Sequence, residues 1–281
     1  MRILKKILKV VLYLFLAILI LFLVLIHFIF QPKTDEDIKE SIEGITLIHK
    51  NFEGYSYRLI SSKKELDTTL PNLLFVHGSP GSMLDYEAYF KDEELNQKAN
   101  LISYERVGYG IDNVGDIQNI AFETSVLNSL TDSLGVSNTI LAGYSYGGPI
   151  ALASQKKYKK VVLLAPAVYS EVEPMFWFLN LYKWKATRWL MPKILQSASK
   201  EKIQHQEDLR KHQENWNDNP SEIYAIHGDK DWIVPYGNSE FIQRQFDSSQ
   251  FELLILEDAG HELIWSRFEE IKEELIKVIE E

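Results

Sequence analysis

The chain has 281 residues, 46% of them hydrophobic and 25% charged, and a net charge of −10 at pH 7. With the apolar N-terminus set aside, about 240 residues remain, enough for one large α/β domain with a well-buried core. The absence of cysteine excludes disulfides, thiolate zinc sites and a cysteine nucleophile. The acidic balance after residue 30, 26 basic against 40 acidic residues, repels nucleic acid and argues against it as a partner.

Residues 1–9 form a short basic tail with Arg2, Lys5, Lys6 and Lys9. "VVLYLFLAILILFLVLIHFIF", Val10 to Phe30, follows as 21 residues without a formal charge. As a helix it spans about 31 Å, the thickness of a bilayer's hydrocarbon core. A cleaved signal peptide has a shorter apolar region that ends in small residues, whereas this run ends in His27-Phe28-Ile29-Phe30. A buried soluble helix rarely lacks a polar face for so long. A single transmembrane helix at 10–30, retained on the mature protein, is therefore expected, with the lipid bilayer as its partner. Four basic residues precede the span, and Lys33 after it lies beside Asp35, Glu36 and Asp37. This asymmetry predicts a cytoplasmic N-terminus and places the large domain after the span outside the cytoplasm. Residues 31–44, "QPKTDEDIKESIEG", read as a short charged linker or a first exposed turn.

From residue 45 to 281, strand-like and helix-like stretches alternate. "GITLIHK" and "YSYRLISS" suit an opening antiparallel pair. "NLLFVHG" (72–78), "NLISYER" (100–106), "NTILAGYS" (138–145), "KVVLLAP" (160–166), "EIYAIHG" (222–228) and "FELLILE" (251–257) are short, nearly continuous apolar runs. Such runs suit strands buried on both faces of a parallel sheet. The final stretch places Phe268, Ile271, Leu275 and Val278 on one stripe of an amphipathic helix. The alternation predicts an α/β fold with a mostly parallel central sheet flanked by helices. About 167–219 has no convincing strand and carries Phe176, Trp177, Phe178, Tyr182, Trp184 and Trp189; it reads as a helical insertion.

The strand "TILAGYS" runs directly into "YGGPIALASQKKY", read as a helix with Pro149 in its first turn, where a missing N–H costs little. A strand–serine–helix junction needs a very tight turn. Gly143 and Gly147 remove the side chains that would collide there, which exposes the Ser145 hydroxyl at the carboxyl end of the sheet. A serine hydroxyl needs a base. "LEDAGHELI" puts His261 in the loop after the last strand, and "AIHGDKDWIVP" offers Asp229 and Asp231 as the orienting carboxylate. The chain order is serine, acid, histidine.

These motifs together resemble the α/β-hydrolase superfamily, in its alpha/beta-hydrolase-1 branch, over roughly residues 45–281. "HGSPGS" (77–82) is similar to the family's His-Gly oxyanion loop and to the corresponding loop of proline iminopeptidases. "ERVGYG" (105–110) resembles Asp-Arg-x-Gly-x-Gly, with Glu105 in place of aspartate. "GYSYGG" resembles the nucleophile elbow and "AGH" the histidine loop. "GDKDWIVP" resembles Gly-x-x-Asp-x-x-Val-Pro, which selects Asp231 over Asp229. The long insertion sits where the family has its helical cap. The resemblance implies that Ser145 is the nucleophile, His261 the base and Asp231 the acid. It further implies that backbone N–H groups of Tyr146 and Ser79 hold the oxyanion, while His77 and Gly78 support that loop. Neither a metal nor an organic cofactor is implied.

Asp229 and Asp258 read otherwise as turn residues. Arg106 and Glu105 read as structural, and His205 and His212 as neighbours on one helix face without a metal-site pattern. A serine at the elbow, where epoxide hydrolases and haloalkane dehalogenases carry aspartate, leaves acyl chemistry on a small-molecule substrate. The aromatic insertion and the anchor favour an apolar ester. An aminopeptidase or amidase with Glu171 or Glu173 receiving an amine, and an acyltransferase, are the alternatives. A catalytically silent binding protein is disfavoured because such proteins usually lose a triad member. The cap aromatics suit either lining a substrate pocket or packing among themselves.

Overall fold

The structure, a computed structural model, describes residues 2–281; Met1, the first residue of the predicted basic tail, lies outside the described residues. Helix α1 (Arg2–Ile29) includes the basic residues from Arg2 onward as well as the apolar run. Its apolar side chains are exposed along its length, so it is a candidate transmembrane helix by length and composition.

The segment 31–44 does not run as free chain. Thr34 caps helix α2 (Asp35–Ser41) in a reciprocal capping box with Asp37, an arrangement that satisfies two otherwise unpaired backbone donors. Ile38 and Ile42 are buried in the core. A charged composition concealed these two apolar anchors, four residues apart.

Strands β1 (Thr46–Phe52) and β2 (Tyr55–Ser61) form the expected antiparallel hairpin. They join β3 (Asn72–Val76), β4 (Asn100–Tyr104), β5 (Thr139–Tyr144), β6 (Lys160–Leu164), β7 (Ile223–Gly228) and β8 (Phe251–Leu256) in one eight-stranded sheet, ordered β1-β2-β4-β3-β5-β6-β7-β8. Every pairing from β4 to β8 is parallel. The central strands β3, β4 and β5 are buried throughout and mostly apolar because both faces are covered. On β3, Leu73 and Phe75 enter one core cluster, while Leu74 and Val76 enter the cluster on the other face, as the two-residue period of a strand requires.

Helices α3 (Glu87–Lys91) and α4 (Glu93–Lys98) lie between β3 and β4, and α5 (Ile120–Leu134) precedes β5. Helix α6 (Gly147–Ala153) follows β5 with Pro149 near its start. It is shorter than the sequence suggested, because the Asn219 side-chain amide donates to the carbonyls of Ala151, Leu152 and Ser154 and closes its end. Between β6 and β7 there is no strand. That interval holds α7 (Asn180–Lys183), α8 (Lys185–Arg188) and α9 (Lys193–Leu209), with a 3₁₀ turn at Gln213–Asp218. Helix α9 ends before His212, so His205 and His212 do not share a helix. After β7 come α10 (Gly237–Gln243), α11 (Leu263–Ser266) and α12 (Phe268–Glu280). On α12, Ile271, Leu275 and Val278 are buried as the stripe predicted. Each such aliphatic side chain contributes roughly 1.5–3 kcal/mol.

Arg58 on β2 fastens the segment after α1 to the sheet. Its guanidinium donates to Lys33 O (2.8 Å), Asp35 Oδ1 (2.8 Å) and both Glu105 oxygens (3.0 and 2.6 Å). Burial pushes the Glu105 carboxyl up, against the opposing pull of Arg58. Arg58→Met leaves a buried carboxylate without its cation, a change that costs about 3–5 kcal/mol. Urea unfolding followed by tryptophan fluorescence is expected to show that loss; Glu105→Gln introduced into Arg58→Met should recover part of it.

Candidate active site

Ser145 sits at the junction of β5 and α6 with φ 53°, a left-handed conformation that non-glycine residues seldom adopt. The turn leaves no room beside it. A Cβ on Gly143 would lie 2.6 Å from Gly147 O, and one on Gly147 would lie 2.2 Å from Val76 O. The Ser145 N–H donates to Leu164 O, and Ser145 O accepts from Gly148 and Ala167. Strain at one serine is thus held by a backbone that is bonded on both sides.

His261, in the loop after β8, lies with Nε2 2.9 Å from Ser145 Oγ and Nδ1 2.7 Å from Asp231 Oδ2. Its ring stacks on Tyr144, whose hydroxyl donates to His261 O at 2.8 Å. Asp231 Oδ1 accepts from the N–H groups of Ile233 (3.0 Å) and Val234 (2.8 Å). Burial acts to raise the Asp231 pKa, but hydrogen bonds from His227 and His261 and the His261 charge outweigh it and hold this carboxyl well below the usual range. Asp231 is thus an anion that accepts the Nδ1 proton of His261, which leaves Nε2 free to accept from Ser145.

Asp229 is exposed beside Lys230 (3.5 Å), and Asp258 is exposed in its turn; neither reaches His261. His227 is fully buried, with Nε2 2.9 Å from Val234 O and 3.5 Å from Asp231 Oδ2. It stands four residues before Asp231, yet "AIHG" reads simply as the end of a strand, so the sequence offered no signal for its role.

Ser79 and Tyr146 both line the cavity that holds Ser145 and His261. The loop after β3 meets the elbow at Gly78, where a Cβ would lie 2.9 Å from Ser145 Cβ. His77 is buried, its Nδ1 donating to Gly78 O (2.8 Å) while Nε2 accepts from the Arg106 N–H (3.0 Å). Desolvation and the Arg106 charge hold His77 neutral. The Arg106 guanidinium donates to Gly78 O (3.0 Å), pairs with Glu201 of α9 and lies 3.8 Å from Glu123 of α5. Tyr109 completes the link, its hydroxyl 2.6 Å from both Ser79 Oγ and Glu201 Oε2. Glu201 went unnoticed in the sequence because nothing local marks a residue whose partners Arg106 and Tyr109 are 95 and 92 positions away, and Glu123 and Tyr109 likewise carry no local sign of the partners they meet.

The cavity measures about 400 Å³, with walls from Phe176, Phe178, Leu179, Met191 and Leu195. The cap aromatics therefore divide: Phe176 and Phe178 line it, while Trp177, Trp184 and Trp189 are exposed. Glu173 lies in the wall, paired with Lys202, whereas Glu171 is exposed and faces Arg210 at 3.6 Å. His205 also lies in the wall and bonds Ala167 O. Burial and the Lys202 charge lower its pKa to about 3, so the ring is neutral.

A model of the Alpha/beta hydrolase family matches residues 73–274. The solved structures similar to this chain include a membrane phospholipase A described as a bacterial virulence factor, with a TM-score of 0.66, 16% identity and coverage of 98% of both chains. An esterase from Exiguobacterium antarcticum matches with a TM-score of 0.63 and 18% identity over 82% of this chain and 97% of that one. A putative lipase from Acinetobacter baumannii matches with a TM-score of 0.62 and 17% identity over 88% and 97%. No curated protein matches the sequence.

Burial raises the Glu123 pKa to about 8, the Arg106 charge opposing and the Glu201 charge adding to the rise. The ordinary value is about 4.3. Between these pH values the unfolded chain ionises this group while the folded chain keeps it protonated. Its contribution to stability therefore falls as pH rises, by up to about 1.4 kcal/mol per pH unit, and levels off above the folded value. Urea unfolding of wild type and Glu123→Gln at pH 5, 6, 7 and 8 should show the wild type losing stability relative to the variant across that range.

Proposed function

The chain belongs to the alpha/beta hydrolase family, and on that premise we propose that it is a membrane-anchored serine hydrolase that cleaves an ester through an acyl-enzyme. The observation that carries the reading is the unbroken hydrogen-bonded chain Ser145–His261–Asp231, at 2.9 and 2.7 Å. In this mechanism Ser145 Oγ attacks the acyl carbon as His261 Nε2 takes its proton. Asp231 keeps the imidazole in the tautomer that accepts from serine and stabilises the imidazolium. The N–H groups of Tyr146 and Ser79 receive the developing oxyanion. His261 returns the proton to the leaving alkoxide, and a water activated by the same ring then releases the acid.

Two features support an apolar acyl group: the aliphatic and aromatic cavity walls, and an anchor that keeps the site near lipid. The Glu173 charge is already matched by Lys202, which weakens the case for an aminopeptidase. What favours that second reading is the other Glu173 oxygen, buried without a hydrogen-bond partner. Turnover of aminoacyl amides in preference to acyl esters of graded chain length would establish it.

A fluorophosphonate is expected to label the wild type and not Ser145→Ala. Asp231→Asn should lower kcat by roughly 10⁴-fold, since the asparagine favours the wrong imidazole tautomer, while Asp229→Asn changes it little. Equal labelling of Ser145→Ala, or the reverse ranking of the two aspartates, rejects the assignment.

The anchor reading rests on the uncharged run from Val10 to Phe30, most of which lies in the helix that is a candidate membrane span, and on the four basic residues that precede residue 10. The protein should stay in membranes through a carbonate wash. A C-terminal tag should be digested by protease on intact cells; a tag protected until lysis would reverse the orientation.

A further inference from the structure

From Pro174 to Lys200 the chain contains Lys183, Lys185, Arg188, Lys193 and Lys200 and no acidic residue. Outside this stretch and the first thirty residues it has 21 basic and 40 acidic residues. A local excess of cations on so acidic a body is a directed feature. Three tryptophans are interleaved with the first three cations, and all are exposed: Trp177 by 79%, Trp184 by 60% and Trp189 by 70%. Many of the other surface lysines, among them Lys91, Lys98, Lys156, Lys160, Lys272 and Lys277, pair with carboxylates. Among the described residues Lys183, Lys185 and Arg188 have no carboxylate partner.

The stretch is also held beside the outer end of α1. Phe30 packs against the small cluster of Tyr109, Ile117 and Ile194. Ile194 opens α9, five residues after Trp189. Phe30 and Ile194 further line one cavity of about 180 Å³ together with the segment from Pro80 to Asp85 after β3. With Arg58 fixing Lys33 and Asp35 to the sheet, the end of α1 and this face of the cap form one rigid junction.

We propose that Trp177, Trp184 and Trp189, with Lys183, Lys185 and Arg188, form a surface that docks on a bilayer containing anionic lipid. The chemistry fits that occupant. Indole rings settle at the headgroup level, and each lysine or arginine near an anionic leaflet adds electrostatic attraction. The inner wall of the same stretch, through Phe178 and Met191, lines the cavity of Ser145. Docking therefore brings the cavity mouth to the lipid surface, so that a lipid ester enters from the headgroup layer.

This inference rests on α1 being a membrane anchor, and the test separates the two. The chain lacks cysteine, so single thiols can carry an environment-sensitive fluorophore at Ala186 beside the basic residues, at Val24 in α1 and at Ser248 in the exposed turn before β8, at the amino end of that strand. Each full-length variant (Ala186→Cys, Val24→Cys, Ser248→Cys) is reconstituted in phosphatidylcholine vesicles with and without phosphatidylglycerol, and quenching by headgroup-proximal doxyl lipid is measured. With phosphatidylglycerol present, the probe at 186 should be quenched several-fold more than the probe at 248. The difference should shrink in phosphatidylcholine alone and on Lys183→Gln with Lys185→Gln. Equal weak quenching at 186 and 248, with Val24 quenched, overturns the docking surface and leaves the anchor intact. Strong quenching at 186 that ignores phosphatidylglycerol overturns the anionic-lipid preference. An unquenched probe at 24 rejects the anchor itself.

Discussion

A single buried guanidinium joins the parts of the candidate site. Arg106 is fully enclosed, where an unpaired charge would cost several kcal/mol. Its partners come from three separate elements: the carbonyls of His77 and Gly78 in the loop after β3, Glu201 on α9 and Glu123 on α5. The same guanidinium lies over the rings of Tyr146 and Tyr109, 4.4 and 5.2 Å from their centroids. Satisfying one charge therefore fixes the loop after β3 against the turn at Ser145 and α9 against both. Glu123, kept protonated near neutrality by its burial, leaves Glu201 as the carboxyl group paired directly with Arg106. That limits the repulsion between two carboxylates in so small a space.

The second constraint is close packing of backbone on backbone. The elbow places Ser145 in a strained conformation, and the strain persists because β3, β5 and β6 surround it. Gly147 lies against Val76 O at a separation no side chain would permit, and Gly78 lies against Ser145 itself. The same device holds the histidine side of the site. A Cβ on Gly228 would lie 2.2 Å from Ala259 O, so the strand that leads to Asp231 and the loop that carries His261 press directly together. Four loops at the carboxyl ends of parallel strands are thereby held in register in a chain that has no cysteine to form a disulfide.

Charge distribution organises the outside of the molecule as Arg106 organises the inside. The body is acidic and most of its lysines are locally paired. The two basic regions left over, the start of α1 and the segment around α7 and α8, lie at opposite ends of the candidate transmembrane helix. Arg58 joins this arrangement to the sheet by binding the backbone just past α1 and the buried Glu105 at once. Glu105 is thus taken up by the clamp on α2, while its neighbour Arg106 turns inward to the loop after β3. Adjacent residues of one motif serve opposite faces of the structure.

The sequence alone determined what depends on short-range order. The eight strands and the stripe of α12 were legible because burial on one or both faces dictates a period of hydrophobicity. The turn at Ser145 was legible because one that tight admits only glycine at positions 143 and 147, and His261 was a candidate because its loop follows a recognisable strand; between Asp229 and Asp231, in one loop, only the family resemblance chose. What the tertiary structure decided was every pairing across distance. Charged composition hid α2, since two buried isoleucines suffice to dock a helix whose other side is wet. Helix α6 ends where Asn219, 66 residues beyond Ala153, caps its carbonyls. Glu201, Glu123, Tyr109 and His227 gave no local sign, because a buried polar group is defined by the partner it meets, and that partner is supplied by the fold.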